Sequence, residues 1–130
     1  MERKTILIVE DSDVMRSFLV ASLEGLPYDV VEAPTGFEAL KILPHHPLAM
    51  IVTDINMPDI NGLELISFLR ANPNYRRVPV LIISTENSAE DRKRGLELGA
   101  AGYLVKPFGA EALRAAVDAA LAGRPPEGGA

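Results

Sequence analysis

Short apolar runs recur along the chain at even intervals: Ile6–Val9, Tyr28–Val31, Ala49–Thr53, Val78–Ile83 and Gly102–Val105. Continuous β-branched and aliphatic runs of this length predict strands buried on both faces, the habit of parallel sheets. Between them the apolar positions change to helical spacing. Val14, Phe18, Leu19 and Leu23 share one face, Leu65, Ile66 and Leu69 another, and Leu113, Val117 and Leu121 a third. Thr35 with Glu38 three residues on predicts a capping box, and Ser88 with Asp91 a second, weaker one. Gly25, Gly99 and Gly123 stand where helices should end. A fourth helix, about Ala89–Leu98, has the thinnest apolar face, made of Ala89 and Leu96 with charged residues between.

The pattern amounts to five strand–helix units. Alternation of this kind with short links predicts an α/β fold: a doubly wound, five-stranded parallel sheet with helices on both faces and right-handed crossovers. At 130 residues the strand order expected is 2-1-3-4-5, the flavodoxin-like arrangement. One domain is expected over residues 1–122. The stretch Gly123–Ala130 is too rich in Gly and Pro to pack and is expected to be a flexible tail.

Composition narrows the function. Thirteen Lys and Arg against eighteen Asp and Glu give a net charge of −5. That argues against a nucleic-acid binder, whose affinity comes largely from neutralising phosphates, and against a polybasic membrane anchor. The absence of cysteine excludes disulfides, thiol catalysis and Cys-based zinc sites. No apolar run approaches the ~18 residues of a membrane span, and the N-terminus turns acidic too soon for a signal peptide. A cytoplasmic protein is expected.

In open α/β sheets ligands bind beyond the carboxyl ends of the strands, where the strand order reverses. Here that point lies between strands 1 and 3. Strand 1 ends in Glu10-Asp11, followed by Ser12 and Asp13, and strand 3 ends in Asp54. Two carboxylates ~4 Å apart repel by ~4 kcal/mol at an effective dielectric of ~20. Raised pKa values, a cation, or both must compensate, and carboxylate oxygens with room for water suit Mg²⁺. The plainer reading is that Asp11 or Asp13 caps the first helix. Strands 4 and 5 weigh against it by bringing Ser84-Thr85 and Lys106-Pro107 to the same edge. A hydroxyl, an ammonium and three carboxylates form an arrangement for handling a phosphoryl group.

Four motifs in order, Ile-Leu-Ile-Val-Glu-Asp-Ser (6–12), Thr-Asp-Ile-Asn-Met-Pro-Asp-Ile-Asn-Gly (53–62), Ile-Ser-Thr (83–85) and Gly-Tyr-Leu-Val-Lys-Pro-Phe (102–108), complete the picture. From about Lys4 to about Leu121 the chain resembles the receiver domain of two-component response regulators, particularly the free-standing chemotaxis type. The resemblance implies Asp54 as phosphoacceptor and Mg²⁺ as cofactor. Asp11 and Asp54 would hold the metal directly, Glu10 through water, and Asn56 by its backbone carbonyl. It implies Ser84 as switch hydroxyl, Tyr103 as switch aromatic, and Lys106 as the family's lysine, with a cis peptide before Pro107. A histidine kinase would be the phosphodonor. The target protein would read the surface formed by helix 4, strand 5 and helix 5, with Tyr103 turning inward as the switch operates. Two departures stand out: Glu10 replaces the commoner Asp, and Ser84 the commoner Thr.

Rival readings are weaker. Asp11-Ser12-Asp13 superficially fits the signature of aspartate-nucleophile phosphatases similar to the haloacid dehalogenase group. Met15 stands where their small residue belongs, and no acidic pair follows Lys106. A flavin carrier of the same fold would need a first loop that cradles phosphate, which Glu10-Asp11 would repel. A receiver excised from a larger hybrid kinase or regulator is the alternative within the family; the initial Met favours a free-standing protein. His45-His46 is expected in a solvated loop bounded by Pro44 and Pro47, Arg92-Lys93-Arg94 on a solvated helix face, and Met50 and Met57 in packing roles.

Overall fold

The structure is a computed structural model, and it describes residues 3–85 and 89–124. Strands β1 (Lys4–Val9), β2 (Tyr28–Ala33), β3 (Met50–Asp54), β4 (Val80–Ser84) and β5 (Gly102–Val105) alternate with helices α1 (Asp13–Ser22), α2 (Gly36–Ile42), α3 (Gly62–Ala71), α4 (Ala89–Glu97) and α5 (Ala110–Leu121). A short 3-10 turn, Leu43–His45, follows α2. All pairings are parallel, and the strand order is β2-β1-β3-β4-β5, as the sequence pattern predicts.

Alternation along each strand builds two cores, because successive side chains point to opposite faces. Leu7, Val9, Ile51 and Ile82 face one way and pack with Ala39 of α2, Leu65, Ile66 and Leu69 of α3, and Tyr103. Ile6, Ile8, Met50, Val52, Leu81 and Ile83 face the other way, under Leu19 of α1 and Leu113 and Val117 of α5. Each fully buried Ile or Leu contributes roughly 1.5–3 kcal/mol, so the central strands β1, β3 and β4 anchor the fold.

Local signals are met in part. Gly99 ends the α4 segment with a φ of +86°, a left-handed conformation that suits glycine at a helix terminus, and Gly25 and Gly123 are also left-handed. Thr35 accepts from the Glu38 N–H at 3.0 Å, half of the predicted box. The reciprocal box forms instead at Asn61 and Glu64, which open α3. Ser88 and residues 125–130 lie outside the described residues.

Three expectations are corrected. Val14 is 82% exposed rather than part of the α1 core face, because it sits in the first turn, at the end of the helix beyond the strand termini. β4 starts at Val80 and not Val78, since Pro79 has no N–H to offer a ladder. On α4, Ala89 is exposed, Leu96 half-buried, and Gly95 is the buried residue. A Cβ on Gly95 would come within 2.6 Å of Ile82 Cδ1, so the lack of a side chain lets α4 lie close over the sheet.

Candidate functional site

The register sets the site. Val9 pairs with Thr53, Asp54 with Ile83, and Ser84 with Val105, so the strand ends terminate together at one edge. Glu10 follows β1, Asp54 closes β3, Ser84 closes β4 and Lys106 follows β5. The peptide between Lys106 and Pro107 is cis, as the resemblance implies.

One oxygen from each of Glu10, Asp11 and Asp54 lies within 4.8 Å of the others. Lys106 enters this cluster from the β5 side. Its Nζ donates to Glu10 Oε1 at 2.9 Å and stands 3.5 Å from Asp54 Oδ2. The side chains of Glu10 and Asp54 are 1% and 8% exposed, and that of Lys106 is 11% exposed. The Ser12 N–H donates to Glu10 Oε2 at 3.0 Å, and the Asn56 N–H to Asp54 Oδ1 at 3.3 Å. Burial pushes the Glu10 carboxyl above its ordinary range; the Ser12 N–H and Lys106 pull it back in part, and Asp54 adds to the rise.

Three carboxylates beside the half-buried Lys106 ammonium leave an excess of negative charge. An all-oxygen donor set of that kind fits a hard divalent cation such as Mg²⁺. The site is thus an acidic pocket with a nucleophile-competent carboxylate, a cation in reach and room in its donor set for a metal.

The remaining residues fall around this centre. Ser84 is fully buried, and its carbonyl accepts from the Lys106 N–H at 2.7 Å, which ties the ends of β4 and β5 together. Tyr103 is 7% exposed and packs in the core, with the Arg92 guanidinium 5.7 Å from its ring centroid. The expected inward turn therefore needs restating, because the ring is already inside. Arg92 likewise departs from the solvated stripe, while Lys93 and Arg94 are exposed. Neither Asp11 nor Asp13 caps α1. Ser12 does, its hydroxyl accepting from the Met15 N–H at 3.2 Å. Asp13 is exposed and paired with Arg16, outside the acidic cluster, which removes the Asp-x-Asp phosphatase reading of that loop. His45 and His46 are exposed, Met50 is buried and Met57 half-buried.

Two contributors escape sequence reasoning. Asp59, in the β3–α3 loop, accepts from the Gly36 and Phe37 N–H groups at 3.2 and 2.9 Å, tying that loop to the start of α2. Arg16 carries no motif signal beyond its i,i+3 spacing from Asp13, yet its guanidinium reaches the Glu10 carbonyl at 2.8 Å.

Comparison with known proteins agrees with this geometry. The family described as response regulator receiver domain matches residues 6–118. A chemotaxis protein CheY homolog of Campylobacter jejuni is 35% identical over 127 residues, covering 96% of this chain and 98% of that protein. A probable transcriptional regulatory protein of Picosynechococcus is 41% identical over 123 residues. The chain spans 48% of the length of that protein and 15% of a gliding motility regulatory protein of Myxococcus xanthus. Among solved structures, chemotaxis response regulator CheY4 of Vibrio cholerae superposes with a TM-score of 0.83 at 34% identity, covering 89% of this chain and 97% of that one. A response regulator structure from Chloroflexus aurantiacus gives 0.88 at 31%, covering 93% and 99%.

Proposed function

The chain belongs to the response regulator receiver family, and on that premise we propose that it is a signalling switch that accepts a phosphoryl group on Asp54. The observation that carries this reading is the convergence of Glu10, Asp11 and Asp54 on one point with Lys106 between Glu10 and Asp54.

Asp54 acts as the nucleophile. A carboxylate oxygen is itself a nucleophile, so no side-chain general base is needed. One of its oxygens attacks phosphorus in the phosphohistidine of a histidine kinase. The P–N bond breaks, and the imidazole leaves with the electron pair. Asp11 and Asp54, with the Asn56 carbonyl and Glu10 through water, are the residues that would hold Mg²⁺. When bound, the metal would neutralise charge developing on the phosphoryl oxygens. Lys106 supplies a second positive charge there, and the Ser84 hydroxyl donates to a third oxygen. Outside its own phosphorylation and loss of phosphate, the chain is not an enzyme.

Output is a population shift of the α4–β5–α5 surface toward the form that better accommodates the phosphoryl group, which a target protein then reads. The receiver domain is assigned to residues 1–122, with the protein acting in the cytoplasm; most of the Gly/Pro-rich stretch 123–130 lies outside the described residues. The relatives of greater length support a second reading, a receiver within a larger regulator or hybrid kinase. Its partners are the histidine kinase and the target protein, with neither nucleic acid nor membrane among them.

The test is incubation with a small acyl phosphate and Mg²⁺, followed by mass spectrometry. One acid-stable, base-labile phosphoryl group on Asp54 is expected. A label on Ser84, Thr85 or a histidine would overturn the assignment.

A further inference from the structure

Asp11 is the one acidic residue of the cluster that is exposed, and its carboxylate makes no side-chain hydrogen bond among the described residues. Its position must therefore come from its backbone. The peptide joining Glu10 to Asp11 is planar, so the Glu10 carbonyl and the Asp11 N–H share one plane with both Cα atoms. Whatever fixes the Glu10 oxygen also fixes the direction in which the chain enters Asp11.

Arg16 holds that oxygen. Its guanidinium donates from NH1 to Glu10 O at 2.8 Å, from NH2 to Asp13 Oδ1 at 2.6 Å, and from Nε to Glu32 Oε1 at 3.2 Å. These acceptors belong to three segments: the end of β1, the first turn of α1 and the strand β2. The Arg16 side chain is only 17% exposed. A planar fork satisfied at three corners has little rotational freedom, which an ammonium on a flexible stem could not reproduce in full. The other end of the loop is secured as well, since Ser12 caps α1 and its N–H is held by Glu10. The Glu10–Asp11 peptide is thus clamped on one side by Arg16 and followed on the other by a capped helix.

We propose that Arg16 is a positioning residue that orients the Glu10–Asp11 peptide and so sets the affinity of Asp11 and Asp54 for a divalent cation. This rests on the metal-assisted phosphoacceptor reading above and adds a residue to it. Orientation and electrostatics predict opposite signs. Arg16 is a cation near an acidic cluster, so if charge alone mattered, its removal would tighten cation binding. If it orients Asp11, its removal weakens binding.

The experiment titrates Mg²⁺ into the full chain and into Arg16→Met, Arg16→Gln and Arg16→Lys, with backbone amide NMR recorded first without metal. Expected for Met and Gln is a Kd at least fivefold higher, together with a displaced Asp11 amide resonance and reduced backbone order at 10–12 in the metal-free protein. Arg16→Lys, which keeps one donor for the Glu10 carbonyl, recovers to within twofold. If the Met variant does not fold, the Gln variant carries the same expectation. An unchanged or lower Kd in the folded variants, or an undisturbed Asp11 amide, overturns the proposal. A wild-type chain without a Mg²⁺ response counts against the metal-assisted reading itself. The metal-free amide measurement still decides whether Arg16 orients Asp11.

Discussion

Lys106 Nζ lies closer to Glu10 than to Asp54, 2.9 Å against 3.5 Å. The longer side chain of Glu, where the family more often has Asp, reaches the ammonium directly and uses one of its two oxygens there. Its other oxygen accepts from the Ser12 N–H. The proposed phosphoacceptor is thereby left with the looser ion pair.

The burial of Glu10 has a pH signature. Burial raises the Glu10 carboxyl above its value in the unfolded chain. The folded state therefore binds this proton more tightly than the unfolded state does. The stabilisation is present below the unfolded pKa and is lost as pH rises through the folded one. Glu10→Gln removes the buried charge, so in metal-free buffer it should unfold at higher denaturant than wild type at neutral pH. The advantage should shrink as pH falls through the carboxylate range. Urea midpoints at several pH values check this, and a midpoint below wild type at neutral pH would contradict it.

Asp11 is the member of the cluster whose carboxylate has no hydrogen-bond or ion-pair partner among the described residues, so a metal should depend on it heavily. Asp11→Asn is expected to lose the Mg²⁺ response of the metal-free protein, with Kd rising tenfold or more, while the fold and the Lys106–Glu10 pair persist. A titration followed by amide NMR reads both at once. A response equal to that of wild type would remove Asp11 from the metal set.

Ser84 and Lys106 should separate chemistry from switching. The buried Ser84 hydroxyl can approach a new phosphoryl oxygen on Asp54, and the Ser84 carbonyl is bonded to the Lys106 N–H, so movement there reaches β5. Ser84→Ala should still accept phosphate at Asp54 but show a reduced spectral change over residues 85–108. Lys106→Ala should be slowed at least tenfold in transfer and defective in the switch as well. Because Tyr103 is buried from the start, the change is expected in its ring packing and in Arg92, not in a large gain of burial. If Ser84→Ala switches like wild type, the coupling between Asp54 and β4 is wrong.

Asp59 should matter for stability and not for transfer chemistry. Burial by itself would raise its carboxyl, but the N–H groups of Phe37, Ile60, Gly36 and Asp59 itself outweigh it and hold the group below the usual range. Its stabilisation is present above the unfolded pKa and lost as pH falls through the lowered one. Asp59→Ala should cost about 1 kcal/mol at neutral pH, as loss of a helix N-terminal partner does. The deficit should vanish in acid. Equal stability at pH 7 would show that water replaces the carboxylate without penalty.

Much of this protein is written in local order along the chain. Apolar runs and helical spacing determined five strands and five helices, because side-chain periodicity reports which faces are buried whatever the neighbours are. The alternation of units predicts a parallel sheet and their number fits the order 2-1-3-4-5, and that order places Glu10, Asp11, Asp54, Ser84 and Lys106 at one edge. Tertiary structure alone decided the rest. Which carboxylate Lys106 prefers depends on side-chain lengths across 96 positions of sequence. The three acceptors of Arg16, the reach of Asp59 to α2 and the burial of Tyr103 beneath an α4 that has Gly95 at its contact point depend likewise on distances between elements. Val14 follows the same logic in reverse: its spacing matches the core face, but its place at the helix end leaves no sheet beneath it. Periodicity is a property of a segment, whereas a partner is a property of the packed molecule.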